Sequence, residues 1–399
     1  MEDHTQSLRM YMETLCLRIG ARPTGSAMNR EAVAYVSEAL RKCGFSVRKQ
    51  EFRCIDWKNS GAELFVDGKN VPVVPSDYSM PCDVGSKLIC AGTLKELKKS
   101  RPEGKILAIH GELCREPLTP NNFTYINFEE HKAIMSLLTK KRPKAIITVV
   151  PGKEHVIQDG DLDIPCAVVG GNMLDTLLRN EGKKALLTIS AKRIPVISDN
   201  VIAAYGSGDE KVVLSAHIDT GSKTSGALHN ASGVSILLAV AESLKGGKFP
   251  FRVEIVIFNG EDYYSFPGET AFMESLTPEH LFAVSVDSVG MKGKGTSVSF
   301  YRCPKKFEKK IMRSAESTGI ERTDPRPTGD HMIFASAGIP TARVTTCGFA
   351  ELLDSVIHSP DDIMENIDLD VMNDTVHFLT DCIEHTRKSN ARVPASCAH

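Results

Sequence analysis

The sequence predicts an α/β protein whose mixed, mostly parallel sheet is sandwiched by helices, with an inserted strand-rich α+β domain. From about residue 201, apolar strands alternate with long periodic helices, as in a doubly wound sheet. Between about residues 58 and 195, short apolar runs separated by turn residues predominate. We therefore expect a discontinuous domain formed by residues 1–57 and 196–399, with residues 58–195 inserted as a second domain.

The N-terminal segment reads as helix, turn, helix and strand. The run Arg22-Pro23-Thr24-Gly25-Ser26 breaks the first helix, because proline and glycine favour turns. A second helix is predicted from about Asn29 to Cys43, where Gly44 ends it. The first helix is predicted from apolar residues that recur at helical spacing, which are Leu8, Met12, Leu15 and Ile19.

The C-terminal half is predicted to contain strands at residues 211–216, 253–258, 281–286 and 341–345. The predicted helices span residues 232–244, 305–317, 331–337 and 363–387. Asn230 or Ser232 can cap the helix at 232–244, and Asp330 is expected to cap the helix at 331–337.

Composition excludes several classes of protein. The 399 residues include 48 basic and 50 acidic ones, a formal net charge of −2, so no global field attracts nucleic acid. No apolar stretch is long enough to cross a membrane, and the polar N-terminus does not resemble a signal peptide. The eleven cysteines form no C-x-x-C pair and are expected to be reduced thiols, so we expect a cytoplasmic protein.

Titratable residues follow three successive predicted strands of the C-terminal half. His217 and Asp219 follow the first, Glu261 and Asp262 the second, and Asp287 the third. Ligands of open α/β sheets bind beyond the carboxyl ends of strands, so these side chains are expected at one edge.

Two more histidines complete the candidate site. His229 precedes a helix, and His358 lies in a loop before the last one. Histidines and carboxylates are ligands that zinc prefers, so the set predicts a metal site.

Ordered motifs in the C-terminal half and the first 57 residues resemble the zinc exopeptidases that include bacterial leucyl aminopeptidases and glutamate carboxypeptidase II. The inserted segment resembles the protease-associated domain found in several members. The motifs are Val212–Thr220, His229–Val234, Phe258–Asp262, Val286–Gly290, Gly329–Phe334 with Ala337–Pro340, and Ile357–Asp362.

This resemblance implies a zinc-exopeptidase fold of the phosphorylase/hydrolase type and a role for each matching residue. His217 and Asp287 match ligands of a first metal, and Asp219 matches the carboxylate that orients the imidazole. Glu261 matches the general base that takes a proton from the attacking water.

The remaining matches concern the second metal and the substrate. Asp262 and His358 match ligands of the second metal, and His331 matches a position near the substrate. We therefore expect an aminopeptidase-like metallo-exopeptidase or a related amidohydrolase, which hydrolyses a terminal amide bond of a small peptide or peptide-like substrate. The expected cofactor is Zn²⁺, as one or two ions, although a His/carboxylate site also accepts other divalent metals.

Two residues depart from the family pattern. His229 stands where the family has an aspartate that bridges both metals, and Asp262 stands where glutamate is usual. Three alternatives follow. His229 binds one metal, together with His217 and Asp287 or with Asp262 and His358. Otherwise two metals bind without the bridging aspartate, or the site is degenerate and the protein is a binding protein. A cyclising or acyl-transfer enzyme with one metal is a further alternative, and a homo-oligomer is left open.

Overall fold

The protein is described by a computed structural model that covers residues 2–120, 128–150, 152, 155–277 and 279–390. The chain divides into two compact units. The first comprises Met1–Cys54 and Ile197–His399, and the second comprises Ile55–Val196. The discontinuous domain is predicted to begin at residue 1 and end at residue 399, and both residues lie outside the described ones.

Helices and strands of both units are numbered in chain order. The α-helices are α1 (Thr5–Met12), α2 (Ala27–Lys42), α3 (Leu94–Lys99), α4 (Glu129–Lys141), α5 (Leu174–Arg179), α6 (Ser232–Ser243), α7 (Pro267–Glu274), α8 (Lys305–Thr318), α9 (His331–Ser336), α10 (Phe349–Ser355) and α11 (Leu369–Asn390). The strands are β1 (Ser46–Val66), β2 (Lys69–Val71), β3 (Val74–Pro75), β4 (Cys82–Ala91), β5 (Ile106–Ile109), β6 (Ala145–Val150), β7 (Cys166–Gly170), β8 (Lys184–Gly206), β9 (Lys211–His217), β10 (Arg252–Phe258), β11 (His280–Val286), β12 (Thr296–Tyr301), β13 (Glu321–Arg322) and β14 (Thr341–Thr346).

The sheet of the first unit has the strand order β13-β12-β14-β11-β9-β10-β8. β9 pairs in parallel with both β10 and β11, and β11 pairs in parallel with β14. The β12–β14 and β10–β8 pairs are antiparallel. The mixed, mostly parallel α/β fold that the sequence predicts is thereby confirmed for this unit.

The core of the first unit explains why its central strands are apolar. β9 and β10 are buried along nearly their whole length, as expected for parallel strands covered on both faces. Helix α6 is itself buried from Ser232 to Ala241 and packs against β9, α1, α2 and α11. The strand ends are therefore held between packed layers, which fixes the side chains that follow them.

The second unit has its own sheet, in which β4, β5, β6 and β7 pair in parallel and β3 pairs antiparallel with β7. Alternate residues of β5 point into different cores: Ile106 and Ala108 belong to one apolar cluster, Leu107 and Ile109 to another. Both faces of this sheet are therefore covered, as the alternation of side chains along a strand requires.

Two predicted elements differ from the structure. The helix expected over residues 363–387 begins instead at Leu369, after a 3-10 turn at Met364–Asn366. Asp368 starts it, because its carboxylate accepts hydrogen bonds from the main-chain N–H groups of Asp370 and Val371. The first helix also changes character, from α-helical in α1 to π-helical over Glu13–Ile19.

Two further observations concern cysteines and membranes. All ten cysteines of the described residues are free thiols, as expected from their spacing. In the described ranges, no helix is long and apolar enough to cross a bilayer.

Candidate metal centre

The register of the first unit's sheet brings the candidate strand ends together. His217, the last residue of β9, lies opposite Phe258, the last residue of β10. Ser285 of β11 lies opposite Ser215 of β9, so β11 ends at the same level. The residues that follow these strands therefore emerge at one edge, as the sequence pattern predicts.

His229 reaches this edge from the turn Ala227–Ala231, immediately before α6. The next residue, Asn230, ties the turn to β11: its amide donates to the Val286 carbonyl at 2.9 Å and its Oδ1 accepts from the Gly233 N–H at 3.0 Å. Asn230 thus caps α6, one of the two expected caps. Gly233 permits this close approach, since a Cβ there would lie 2.7 Å from the Val286 carbonyl oxygen.

The backbone around His229 is also held by Asp362. The carboxylate of Asp362 accepts the N–H groups of Leu228 and His229, the latter at 3.1 Å. Burial raises the pKa of Asp362 to about 6, although these two hydrogen bonds oppose the increase. Asp362 therefore holds the turn Ala227–Ala231 in place, and it lies in the same loop as His358.

Five of the predicted side chains form two groups of three possible metal donors, and His229 belongs to both. One group is His217, His229 and Asp287, and the other is His229, Asp262 and His358. Within each group the donor atoms lie within 4.8 Å of one another. His358 is the most open of these residues, with half of its side chain exposed, whereas His217 and His229 are buried.

Unpartnered polar atoms show that these groups suit a metal ion. Neither ring nitrogen of His217 or His229 has a hydrogen-bond partner among the described residues, and the same is true of Asp262 Oδ2. Buried polar atoms are nearly always paired, so such a cluster indicates a ligand. Two imidazoles and a carboxylate in each group are the donor types that zinc prefers.

Glu261 lies beside both groups. Its Oε2 is 3.5 Å from His229 Nε2 and 3.9 Å from His217 Nε2. Burial raises the pKa of Glu261 well above its usual range, and the neighbouring His217 opposes that increase. A carboxyl in this environment can both take up and release a proton, which a general base requires.

Asp219 connects the strand ends to one another. It accepts hydrogen bonds from the main-chain N–H groups of Glu261 and Asp262, at 3.2 and 2.9 Å. Its Oδ1 lies 3.7 Å from His217 Nδ1. The hydroxyl of Thr24 donates to Asp219 Oδ2 at 2.8 Å. Asp219 therefore holds the segment that carries Glu261, and its orientation of the His217 imidazole stays a prediction.

The two carboxylates in the donor groups are both ionised, for different reasons. Burial opposes ionisation of Asp287, but Arg343 lowers its pKa, with a guanidinium nitrogen 2.6 Å from Asp287 Oδ2. Burial also opposes ionisation of Asp262, whose pKa is lowered by His358, with Nε2 2.7 Å from Asp262 Oδ1. Conversely, Asp262 raises the pKa of His358 to about 9.

The shared histidine is neutral near pH 7. Burial lowers the pKa of His229 to about 4, despite the opposing charge of Asp262. Neutral imidazole is the form that binds a metal.

The structure does not bring His331 into this cluster. Its side chain is fully buried, its Nε2 contacts the Arg326 carbonyl at 2.9 Å, and its ring packs on Tyr301. Burial accordingly lowers the pKa of His331 to about 4. The expected cap is also wrong, because Asp330 makes no capping hydrogen bond to α9. Burial instead raises the pKa of Asp330 to about 7.

Sequence reasoning misses two residues of the Arg22–Ser26 run, because the run by itself indicates only a helix break. Thr24 is one of them, through its hydrogen bond to Asp219. Arg22 is fully buried and donates to main-chain carbonyls, including those of Ile218 and Ser225, both at 2.6 Å. The sequence carries no signal for either role, since an arginine or a threonine beside a turn is ordinarily exposed.

Fold and site together define an α/β protein with a candidate His/carboxylate metal centre at the carboxyl edge of its sheet. Residues 200–382 match the model of peptidase family M28.

Curated proteins and a solved structure are similar to the chain over longer stretches. Aminopeptidase YwaD of Bacillus subtilis is 22% identical over 369 residues, which cover 88% of this chain and 77% of YwaD. Leucine aminopeptidase 2 of Arthroderma otae is 22% identical over 276 residues, which cover 66% of this chain and 53% of that protein. The chain thus spans about half the length of the fungal enzyme. The solved structure of BSAP, a zinc aminopeptidase from Bacillus subtilis, superposes with a TM-score of 0.76 at 20% identity, covering 98% of this chain and 97% of BSAP.

Proposed function

We propose that this protein is a Zn²⁺-dependent exopeptidase that hydrolyses a terminal amide bond of a small peptide or peptide-like substrate. The observation that carries the proposal is the pair of donor groups that share His229 and lie beside the carboxyl of Glu261. Glu261 belongs to neither donor group, so it remains available for proton transfer. The relatives described as aminopeptidases support the same reaction.

The residues that would hold zinc are His217, His229, Asp262, Asp287 and His358, in one or both groups. A bound divalent cation polarises the scissile carbonyl and lowers the pKa of water. The protein's own contribution is to place a proton acceptor beside that centre.

Glu261 accepts the proton of the attacking water at Oε2 and returns it to the departing amine. Asp219 holds the main chain of Glu261 through its N–H, so the carboxyl keeps a fixed distance from the donors. Asp219 also lies near His217 Nδ1, which leaves Nε2 of that ring directed to the centre.

The proposal is tested by metal removal. The chain is stripped with a chelator, reloaded with Zn²⁺, and assayed on leucyl-p-nitroanilide and on a short unblocked peptide. We expect turnover only in the reloaded protein, whereas equal turnover without metal would contradict the proposal. Release of ammonia from a glutaminyl peptide without cleavage would favour the cyclising alternative. Bound metal without turnover of any of these substrates would favour a binding protein.

Three finer proposals rest on the sequence. Residues 58–195 are proposed to be a protease-associated-like domain, supported by the compactness of the unit Ile55–Val196 and by its strand-rich composition. A cytoplasmic location is supported by the free thiols of the described residues. A homo-oligomer remains a prediction, and sedimentation of the purified chain would test it.

A further inference from the structure

The carboxylates of the two donor groups have partners of different chemistry. Asp287 accepts from Arg343 through Oδ2, at 2.6 Å, and from the Ser288 hydroxyl through Oδ1, at 2.9 Å. Both of its oxygens are therefore already engaged. Arg343 is only 3% exposed and its guanidinium stacks on the ring of Phe349 at 4.1 Å, so it cannot turn away into water.

In the part of the chain that the structure describes, the carboxylate of the other donor group, Asp262, has no charged arginine as its partner. The partner of Asp262 is His358, whose Nε2 lies 2.7 Å from Oδ1, while Oδ2 has no partner among the described residues. Imidazole is itself a metal ligand, whereas a guanidinium has no free lone pair and remains charged. A cation can therefore replace the contact between Asp262 and His358 by binding both, with release of the imidazole proton to solvent, but it cannot do so with Asp287 and Arg343.

His229 adds a second constraint. It belongs to both donor groups, and a neutral imidazole has a single free lone pair. One of the two groups is therefore incomplete whenever the other holds an ion. The fixed charge of Arg343 disfavours a dication at the Asp287 side, because charges repel strongly in a buried, poorly screened environment.

We propose that the chain holds one divalent cation, bound by His229, Asp262 and His358, and that Arg343 provides the positive charge in place of a second cation. The inference rests on the proposed function for the presence of a metal. It goes beyond that function because it selects one of the two groups and one ion per chain. Three protein ligands leave a fourth position for substrate or water, as in catalytic zinc sites.

The test is the metal content of the full chain, equilibrated with excess Zn²⁺, desalted, and measured by elemental analysis and native mass spectrometry. We expect one ion per chain in the wild type. Asp262→Asn should lower the content at least tenfold, whereas Asp287→Asn, its matched control, should retain one ion. The double variant His229→Asp with Arg343→Met restores a bridging carboxylate and removes the fixed cation, so it should bind two.

Two ions in the wild type would overturn the inference, and so would loss of the ion in a folded Asp287→Asn variant with retention in Asp262→Asn. Circular dichroism confirms folding, and the wild-type count needs no variant. The outcomes separate the two proposals: two ions with turnover refute only this inference. One ion without turnover refutes only the exopeptidase activity.

Discussion

The hydrogen bond between Thr24 and Asp219 joins the N-terminal segment to the candidate metal centre, and its removal has a calculable cost. Both side chains are buried, so water does not replace the lost donor in Thr24→Val, which keeps the shape of the side chain. Hydrogen bonds to charged groups contribute about 1.5–3 kcal/mol. We expect the free energy of unfolding of the metal-free chain to fall by that amount.

Urea denaturation measures this change from the shift in midpoint at unchanged slope. Thr24→Ser keeps the hydroxyl and should lose less than about 1.5 kcal/mol, the cost of a small buried group. Thr14→Val is the matched control, because the Thr14 hydroxyl bonds only to the Met10 carbonyl at an exposed position. That variant should change stability by no more than about 0.5 kcal/mol. If Thr24→Val is as stable as Thr14→Val, the structural role assigned to Thr24 is wrong.

The other predictions concern buried charges. Arg22→Met removes the hydrogen bonds that Arg22 donates to the Ile218 and Ser225 carbonyls. At about 1.5–3 kcal/mol for each bond, the free energy of unfolding should fall by about 3–6 kcal/mol in the same denaturation assay. A fall of less than about 1 kcal/mol would refute this prediction. Asp330 has a pKa raised from 3.8 to about 7, so the folded chain binds this proton more tightly and loses stability as pH rises from about 4 to 7. The Asp330→Asn variant should therefore be more stable than the wild type at pH 8, by at most about 4 kcal/mol in the free energy of unfolding. This difference should vanish towards pH 4, and a difference that does not change with pH would contradict the prediction.

The sequence was sufficient to predict features that depend on local patterns. Apolar runs identify β9, β10 and β11, and the edge at which parallel strands end follows from their direction alone. The residues after those ends, such as His217 and Glu261, could therefore be expected to lie together. Their catalytic and metal-binding roles stay predictions until variants are measured.

Contacts between distant segments could not be predicted in this way. Thr24 and Asp219 are separated by 195 positions, and Arg343 and Asp287 by 56, with no periodic signal to connect them. Arg343 lies inside the buried strand β14, and a charge there needs a buried partner, although the sequence pattern does not identify that partner.

Predictions of helix starts from local sequence were wrong where the expected capping residue makes a contact elsewhere in the fold. Asp330 precedes a helix and has a good capping side chain, yet it is buried beside other charged groups and caps nothing. Asp362 precedes the predicted start of the last helix, but its carboxylate binds the turn at His229 instead. The helix consequently starts later, at Leu369.

The proposed role of Glu261 is best tested by turnover of the Zn²⁺-loaded Glu261→Gln variant, with bound metal measured in the same samples. Glutamine keeps the size of the side chain but cannot accept the proton. We predict unchanged metal content and a kcat lower by about 10²–10⁴-fold. Glu254→Gln, a buried carboxylate of β10 paired with Lys211, is the matched control and should retain wild-type turnover if folded. Wild-type turnover by Glu261→Gln with metal bound would contradict the proposed mechanism.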